Sequence, residues 1–182
     1  LFLKSKTMRY VQKTILNFEA GGELKSGLWS PLTDQVRGGR STSFIQFDED
    51  TAEISGELTL IDNAGFASYR VIRSTRDGWD FSGKSAISIE ASGDGRTYKV
   101  LLKDEAAKMS DFEYSWECEL LTTPAGAMQI KRMSFDSFIA TCRGRPLRDV
   151  PALELATINQ IGIQINDKIP GPYWIRVRSF VV

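Results

Sequence analysis

Polar and apolar residues alternate with a period of two along most of this chain, in short runs parted by glycine, proline, aspartate and serine. A half-buried β-strand requires that period, because successive side chains leave opposite faces of a sheet. The clearest run is FEYSWECELL. Phe112, Tyr114, Trp116, Cys118 and Leu120 share one face, while Glu113, Ser115, Glu117 and Glu119 take the other, wet one. SAISIEASGDGRTYKVLLKD places two alternating runs around Gly93-Asp94-Gly95 and reads as a β-hairpin, since Asp-Gly supplies the positive φ of tight connections. STSFIQFDEDTAEISGELTLID reads as two strands joined at Asp48-Glu49-Asp50, with Phe44 and Gln46, then Ile54, Gly56, Leu58 and Leu60, in step.

Further strands are expected in KTILNFE, GFASYRVIRS, AMQIKRMSF, TINQIGIQIND and PYWIRVRSFVV. Turns are expected at AGGELKSG, at TRDGWDFSG, and at Asp167-Lys168 with Pro170-Gly171-Pro172, the last closing the final two strands. Helix is scarce: KDEAAKMSD has the length of a turn or two, ALELATINQ opens with a short helix, and neither carries a wide apolar stripe. About ten strands at this spacing predict an all-β, jelly-roll-like β-sandwich; an up-and-down barrel around a cavity fits less well. The organisation expected is an N-terminal extension over residues 1–13 and a single domain over residues 14–182.

Composition bears on function more than on fold. The 23 basic and 23 acidic residues cancel, which argues against a nucleic-acid platform. No run approaches the ~18 apolar residues of a membrane-spanning helix. The opening LFLKSKTMRYVQK is basic, like the tail of a targeting segment, but too short to assign as one. There is no histidine, so the usual general base at neutral pH and the commonest metal ligand are missing from this sequence. The two cysteines, Cys118 and Cys142, form no CxxC pair; they read as independent thiols rather than a disulfide or part of a zinc site. No residue is assigned to catalysis, a cofactor or a metal, and an enzyme is the least expected class.

Four segments occur in order: WSPLTDQVRGGRS, GELTLIDNAGFASYR, GDGRTY and RGRPLRDVPALELATINQIGIQINDKIPGPYWIRV. Together they resemble the CIA30 family, the domain of complex I intermediate-associated protein 30, from about Ile15 to the C-terminus. The resemblance implies a galactose-binding-like β-sandwich. It also implies a role in assembling a membrane-bound electron-transfer complex, either respiratory complex I or, as in cyanobacterial and plastid relatives, a photosynthetic one. The location implied is organellar or bacterial cytoplasmic. Trp29, Asp34, Val36, Gly38, Gly39 and Ser41 keep the family pattern of the first segment; Arg37 stands where Met is usual. Gly65 and Phe66 belong to the second segment, and Gly93, Asp94 and Gly95 to the third.

Each singled-out group has two readings. Asp34, Arg37, Arg40 and Ser41 form either a polar ligand site or, the favoured reading, a loop in which the glycines allow a bend and Asp34 accepts the loop's own N–H groups. Arg96 either cradles an anion or, by preference, pairs with a nearby carboxylate. Arg143, Arg145 and Arg148 make an exposed basic loop, solvated or in contact with a protein or RNA. Asp167, Lys168, Gly171 and Pro172 read as turn, and Asp48-Glu49-Asp50 as an acidic tip rather than a calcium site. Trp29, Trp79, Trp116 and Trp174 read as core or rim. The class expected is a non-catalytic assembly factor acting by protein–protein contact. A carbohydrate-binding module is the second reading. An RNA-associated factor is a third, disfavoured by the neutral charge and the lack of an aromatic stacking motif.

Overall fold

The computed structural model describes residues 14–18, 29–61, 65–74, 78–124 and 126–182. The expected N-terminal extension and the turn at AGGELKSG lie outside these residues. Among the described residues there are thirteen strands, all paired antiparallel, in two sheets. They are β1 (Thr14–Asn17), β2 (Trp29–Thr33), β3 (Phe44–Phe47), β4 (Ala52–Leu58), β5 (Ala67–Ile72), β6 (Ala86–Gly93) and β7 (Thr97–Lys103). After a one-turn helix α1 (Glu105–Met109) come β8 (Ser115–Leu121), β9 (Gln129–Ser134), β10 (Ile139–Cys142), β11 (Arg145–Pro146), β12 (Gln160–Ile165) and β13 (Gly171–Val181). One sheet has the order β3-β4-β13-β6-β9, with β1 on β13; the other runs β11-β10-β8-β7-β12-β5-β2.

The inner faces supply the core. Ile54, Leu58, Ile87, Ile89, Ile175, Val177 and Phe180 come from the first sheet, and Val71, Val100, Leu102, Ile161, Ile163 and Ile165 from the second, each less than a twentieth exposed. The even spacing along these strands, broken only in β13 where the register shifts between Val177 and Ser179, is the period-two pattern read in the sequence. The helical expectations hold as well: Asp104 caps α1 by accepting the Ala107 N–H at 2.7 Å, and residues Leu155–Thr157 form a single 3-10 turn.

The structure corrects the connectivity. The run around Gly93-Asp94-Gly95 is not a hairpin: β6 pairs with β13 and β9, whereas β7 pairs with β8 and β12 in the other sheet. The connection is an arch between layers. The Asp167-Lys168 turn is also an arch, from β12 to β13. A hairpin and an arch need the same turn residues and present the same alternation, so local sequence does not separate them. Three smaller expectations shift too. Phe44 points outward at 63% exposure, and its neighbours Ile45 and Phe47 face the core instead; apolar residues occupy both phases of this edge strand, and Ile45 is set by its partner Ile54. Leu60 and Phe112, at 39% and 57% exposure, fall just beyond their strands and leave the apolar face. The strand count exceeds ten because short strands, such as the two-residue edge strand β11 and its four-residue neighbour β10, are too short to show a period.

Candidate functional site

The family-pattern residues are mostly clips that hold the arches. After β2, a 3-10 turn at Asp34–Arg37 ends at Gly38, whose φ of +84° is the left-handed geometry that glycine tolerates best. The Gly39 N–H reaches back to the Asp34 carbonyl at 3.0 Å. Asp34 is fully buried. Its Oδ1 accepts the Ser41 N–H at 2.9 Å; its Oδ2 accepts the Ser41 hydroxyl at 2.6 Å, the Gly65 N–H at 2.7 Å and, at 3.4 Å, the Phe66 N–H. Ser41 Oγ in turn accepts the Thr59 N–H at 3.0 Å. One carboxylate therefore ties the β2–β3 arch to the β4–β5 arch. Asp34 and Ser41 spend their hydrogen bonds inside the protein, as the favoured sequence reading expects.

A second clip binds the β6–β7 and β12–β13 arches. Arg96 donates to both oxygens of Asp167, at 2.9 and 2.7 Å, to the Pro172 carbonyl at 2.9 Å, and to the Ile169 carbonyl. Asp94 Oδ2 accepts the Trp174 N–H at 2.9 Å and lies 3.0 Å from the Tyr98 hydroxyl. Burial by itself would raise the Asp167 pKa, but the Arg96 and Ile169 hydrogen bonds outweigh it and hold the carboxyl below its ordinary value. Burial, then the Asp94 charge, push the Tyr98 phenol far up.

What remains for a ligand is the outer face of the seven-stranded sheet. There the wet positions of β8, β7 and β12 line a groove of about 920 Å³, a volume typical of ligand sites. Its floor is charge-paired where Lys99 meets Glu117 at 2.7 Å. It adjoins a bowl of about 370 Å³ lined by Arg37, Arg70, Lys103 and Arg143, with Asp111 and Glu113 as its acids and Gln160 and Gln164 among its polar groups; there Lys103 meets Glu113 at 3.0 Å. Arg70 Nε is buried with no hydrogen-bond partner, and burial pulls that guanidinium's pKa down against the opposing Glu113 charge. Beside the bowl lies an apolar shelf of Phe112, Cys142 and Leu147, edged by Arg37, Arg143 and Arg145.

The groove thus gathers four sequence candidates from distant parts of the chain, Asp34, Arg37, Arg96 and Arg143, with Arg145 at the shelf; Asp34 and Arg96 are committed to the clips. Arg40 and Arg148 are exposed and line neither. Arg70, Lys99 and Lys103 were not singled out in the sequence, and Phe112 was read there as part of an apolar face. The signal of the three cations, the wet phase of each strand, is present there, but only the sheet order sets those phases side by side. Cys118 and Cys142 are free; Cys142 Sγ donates to the Phe112 carbonyl at 3.2 Å. No helix among the described residues is long and apolar enough to cross a membrane.

Comparison with known proteins agrees with this architecture. The closely superposing solved structures include the family 11 carbohydrate-binding module of the cellulosomal cellulase Lic26A-Cel5E of Clostridium thermocellum, with a TM-score of 0.68 over 94% of both chains at 15% identity. An agarase superposes with a TM-score of 0.61 over 93% of this chain and 24% of its own, at 11% identity. At such identities the likeness is one of fold, the β-sandwich. By sequence, the chain is 26% identical over 157 residues to the probable complex I intermediate-associated protein 30, mitochondrial, of Caenorhabditis briggsae, covering 80% of this chain and 46% of that one. It is 23% identical over 164 residues to the Mus musculus protein named complex I intermediate-associated protein 30, mitochondrial, covering 82% and 50%. The chain therefore spans about half the length of these relatives. The model of the family described as complex I intermediate-associated protein 30 matches residues 16–177, and the chain is a member of that CIA30 family.

Proposed function

We propose that this chain is a non-catalytic assembly factor, holding a protein partner during construction of a membrane-bound electron-transfer complex. Respiratory complex I is the first candidate, a photosynthetic complex the second, and an organelle bearing that membrane the site of action. The observation that carries the reading is membership of the family over residues 16–177. The groove supports it: its floor is a rigid antiparallel sheet, and its rim brings together cations and an apolar shelf, the chemistry of a protein contact.

A carbohydrate-binding role is the second reading, favoured by the superposition on the family 11 module. The lining weighs against it. Phe66 and Phe112 are the aromatic side chains at the groove and shelf among the described residues, whereas Lys99, Glu117, Lys103 and Glu113 form ion pairs in the groove and bowl. Sugar rings stack best on broad aromatic faces. The test is capture from solubilised organellar membranes on the tagged chain at low salt, followed by identification of what is retained. Complex I or photosystem subunits are the expected result. Retention of a β-1,3-1,4-linked oligosaccharide with no subunit would overturn the assembly reading, and retention of RNA alone would do the same.

A further inference from the structure

Arg143 sits in an unusual place. β10 and β11 pair through Thr141 with Pro146 and Cys142 with Arg145, leaving Arg143-Gly144 as a two-residue loop. Both have positive φ, 52° and 76°. This is the geometry of the mirror-image turn that suits tight hairpins, where asparagine, aspartate or glycine normally stands first. A bulky side chain in that region is strained. The strained residue delivers a guanidinium to the groove, opposite Arg37 on its own 3-10 turn and Arg70 on β5. The side chains of Arg37 and Arg143 make no hydrogen bond or ion pair among the described residues. Four cations face two acids in this bowl, in a protein whose total charge is zero.

We infer that Arg37, Arg70 and Arg143 form a carboxylate-binding subsite that takes an acidic peptide segment of a protein partner, with an adjoining apolar residue of that segment on the Phe112–Leu147 shelf. The inference rests on the reading of this chain as a partner-binding protein. Three observations support an acidic peptide. Guanidinium groups grip carboxylates bidentately. Arg70 lines the same bowl, and no internal acceptor holds its buried Nε, so this guanidinium is not committed to a clip as Arg96 is. The apolar shelf adjoins the same arginines, so charge and hydrophobic contact fall within one short segment. A nucleic acid fits less well, because its evenly spaced phosphates, laid along the groove, would cross Glu113, Glu117 and Glu119.

The experiment titrates the full chain with a short labelled peptide in which Asp-Glu pairs flank Phe and Leu. A matched Asn-Gln peptide and an oligothymidine of equal charge serve as the other probes. The acidic peptide should bind in low salt, the amide peptide at least about tenfold more weakly, and oligothymidine should not compete. Arg37→Ala and Arg143→Asn should each weaken acidic-peptide binding by about tenfold, the loss expected for one charge-assisted contact. Arg148→Ala, outside the groove, should bind as the parent does. Arg143→Asn should also raise the melting temperature, since asparagine accepts the left-handed geometry; a purely structural arginine would not combine a gain in stability with a loss of binding. Equal binding of the two peptides, better binding of oligothymidine, or parental binding by both arginine variants would each overturn the subsite. Subunit capture is a separate readout: a parent chain that retains subunits but not the peptide leaves the assembly reading standing and removes only this subsite.

Discussion

Replacing Asp34 with alanine tests the clip on which the first two arches depend. The carboxylate is fully buried and accepts three short hydrogen bonds, from the Ser41 hydroxyl at 2.6 Å, the Gly65 N–H at 2.7 Å and the Ser41 N–H at 2.9 Å. Hydrogen bonds to a charged acceptor contribute about 1.5–3 kcal/mol each, and a donor left buried without a partner costs a similar amount. The three share one acceptor group and do not add fully, so the expected loss is roughly 4 kcal/mol, a large part of the ~5–15 kcal/mol that stabilises a typical domain. Asp34→Asn keeps the shape but turns one acceptor into a donor facing N–H or O–H groups; about 2–3 kcal/mol is expected. Ser41→Ala removes one bond to Asp34 and the acceptor for Thr59 N–H, for about 1–2 kcal/mol. The assay is urea unfolding followed by tryptophan fluorescence, with the slope checked for constancy. The order Asp34→Ala, Asp34→Asn, Ser41→Ala should hold, and the double variant Asp34→Ala with Ser41→Ala should lose less than the sum. An Asp34→Ala chain within about 1 kcal/mol of the parent would refute the clip, because a buried acceptor of this kind cannot be removed so cheaply.

Arg96→Met breaks an ion pair whose side chains are only 11% and 9% exposed, and should cost about 3–5 kcal/mol at neutral pH, read by the same urea titration. Because the Asp167 pKa is depressed in the folded state, its contribution is present above the ordinary value of 3.8 and is lost as pH falls through the lower folded value; the parent should lose stability in that acid window, and Arg96→Met should show a flatter acid profile. Tyr173, pushed up to about 12 chiefly by burial, contributes stability below pH 10.0 that is lost as pH rises through its folded value; alkaline melts should show the fall, reduced in Tyr173→Phe. Gly95→Ala should cost about 1–3 kcal/mol, since φ there is +90° and an added Cβ would come within 2.6 Å of Pro124 Cγ. Arg143→Asn should gain about 0.5–1 kcal/mol in the same unfolding assay, from relief of the left-handed strain.

The sequence by itself determined most of the strands and the class of fold. Alternation is a local property of the chain: each residue's face follows from its neighbours two positions away, so runs such as Tyr114, Trp116, Cys118 and Leu120 show their inner face without any partner. The aspartates of the arches were legible for a similar reason, because Asp34 stands four residues before Gly38-Gly39 and Asp94 between Gly93 and Gly95, turn chemistry that is readable residue by residue. The sheet to which each strand belongs was decided only in three dimensions. Gly93-Asp94-Gly95 turns the chain equally well within a layer or between layers, and the choice is made by the pairing of β6 with β13, more than eighty residues later in the chain. The groove inherits that dependence. Arg37, Arg70 and Arg143 lie on three separate segments, and no local periodicity relates them; they meet because β2, β5, β12, β7, β8 and β10 are neighbours in one sheet. Burial of apolar faces is non-directional and specifies which side of a strand is inward, whereas the identity of the neighbouring strand is fixed by long-range hydrogen-bond pairing and by clips such as Asp34 and Arg96, whose partners lie far along the chain.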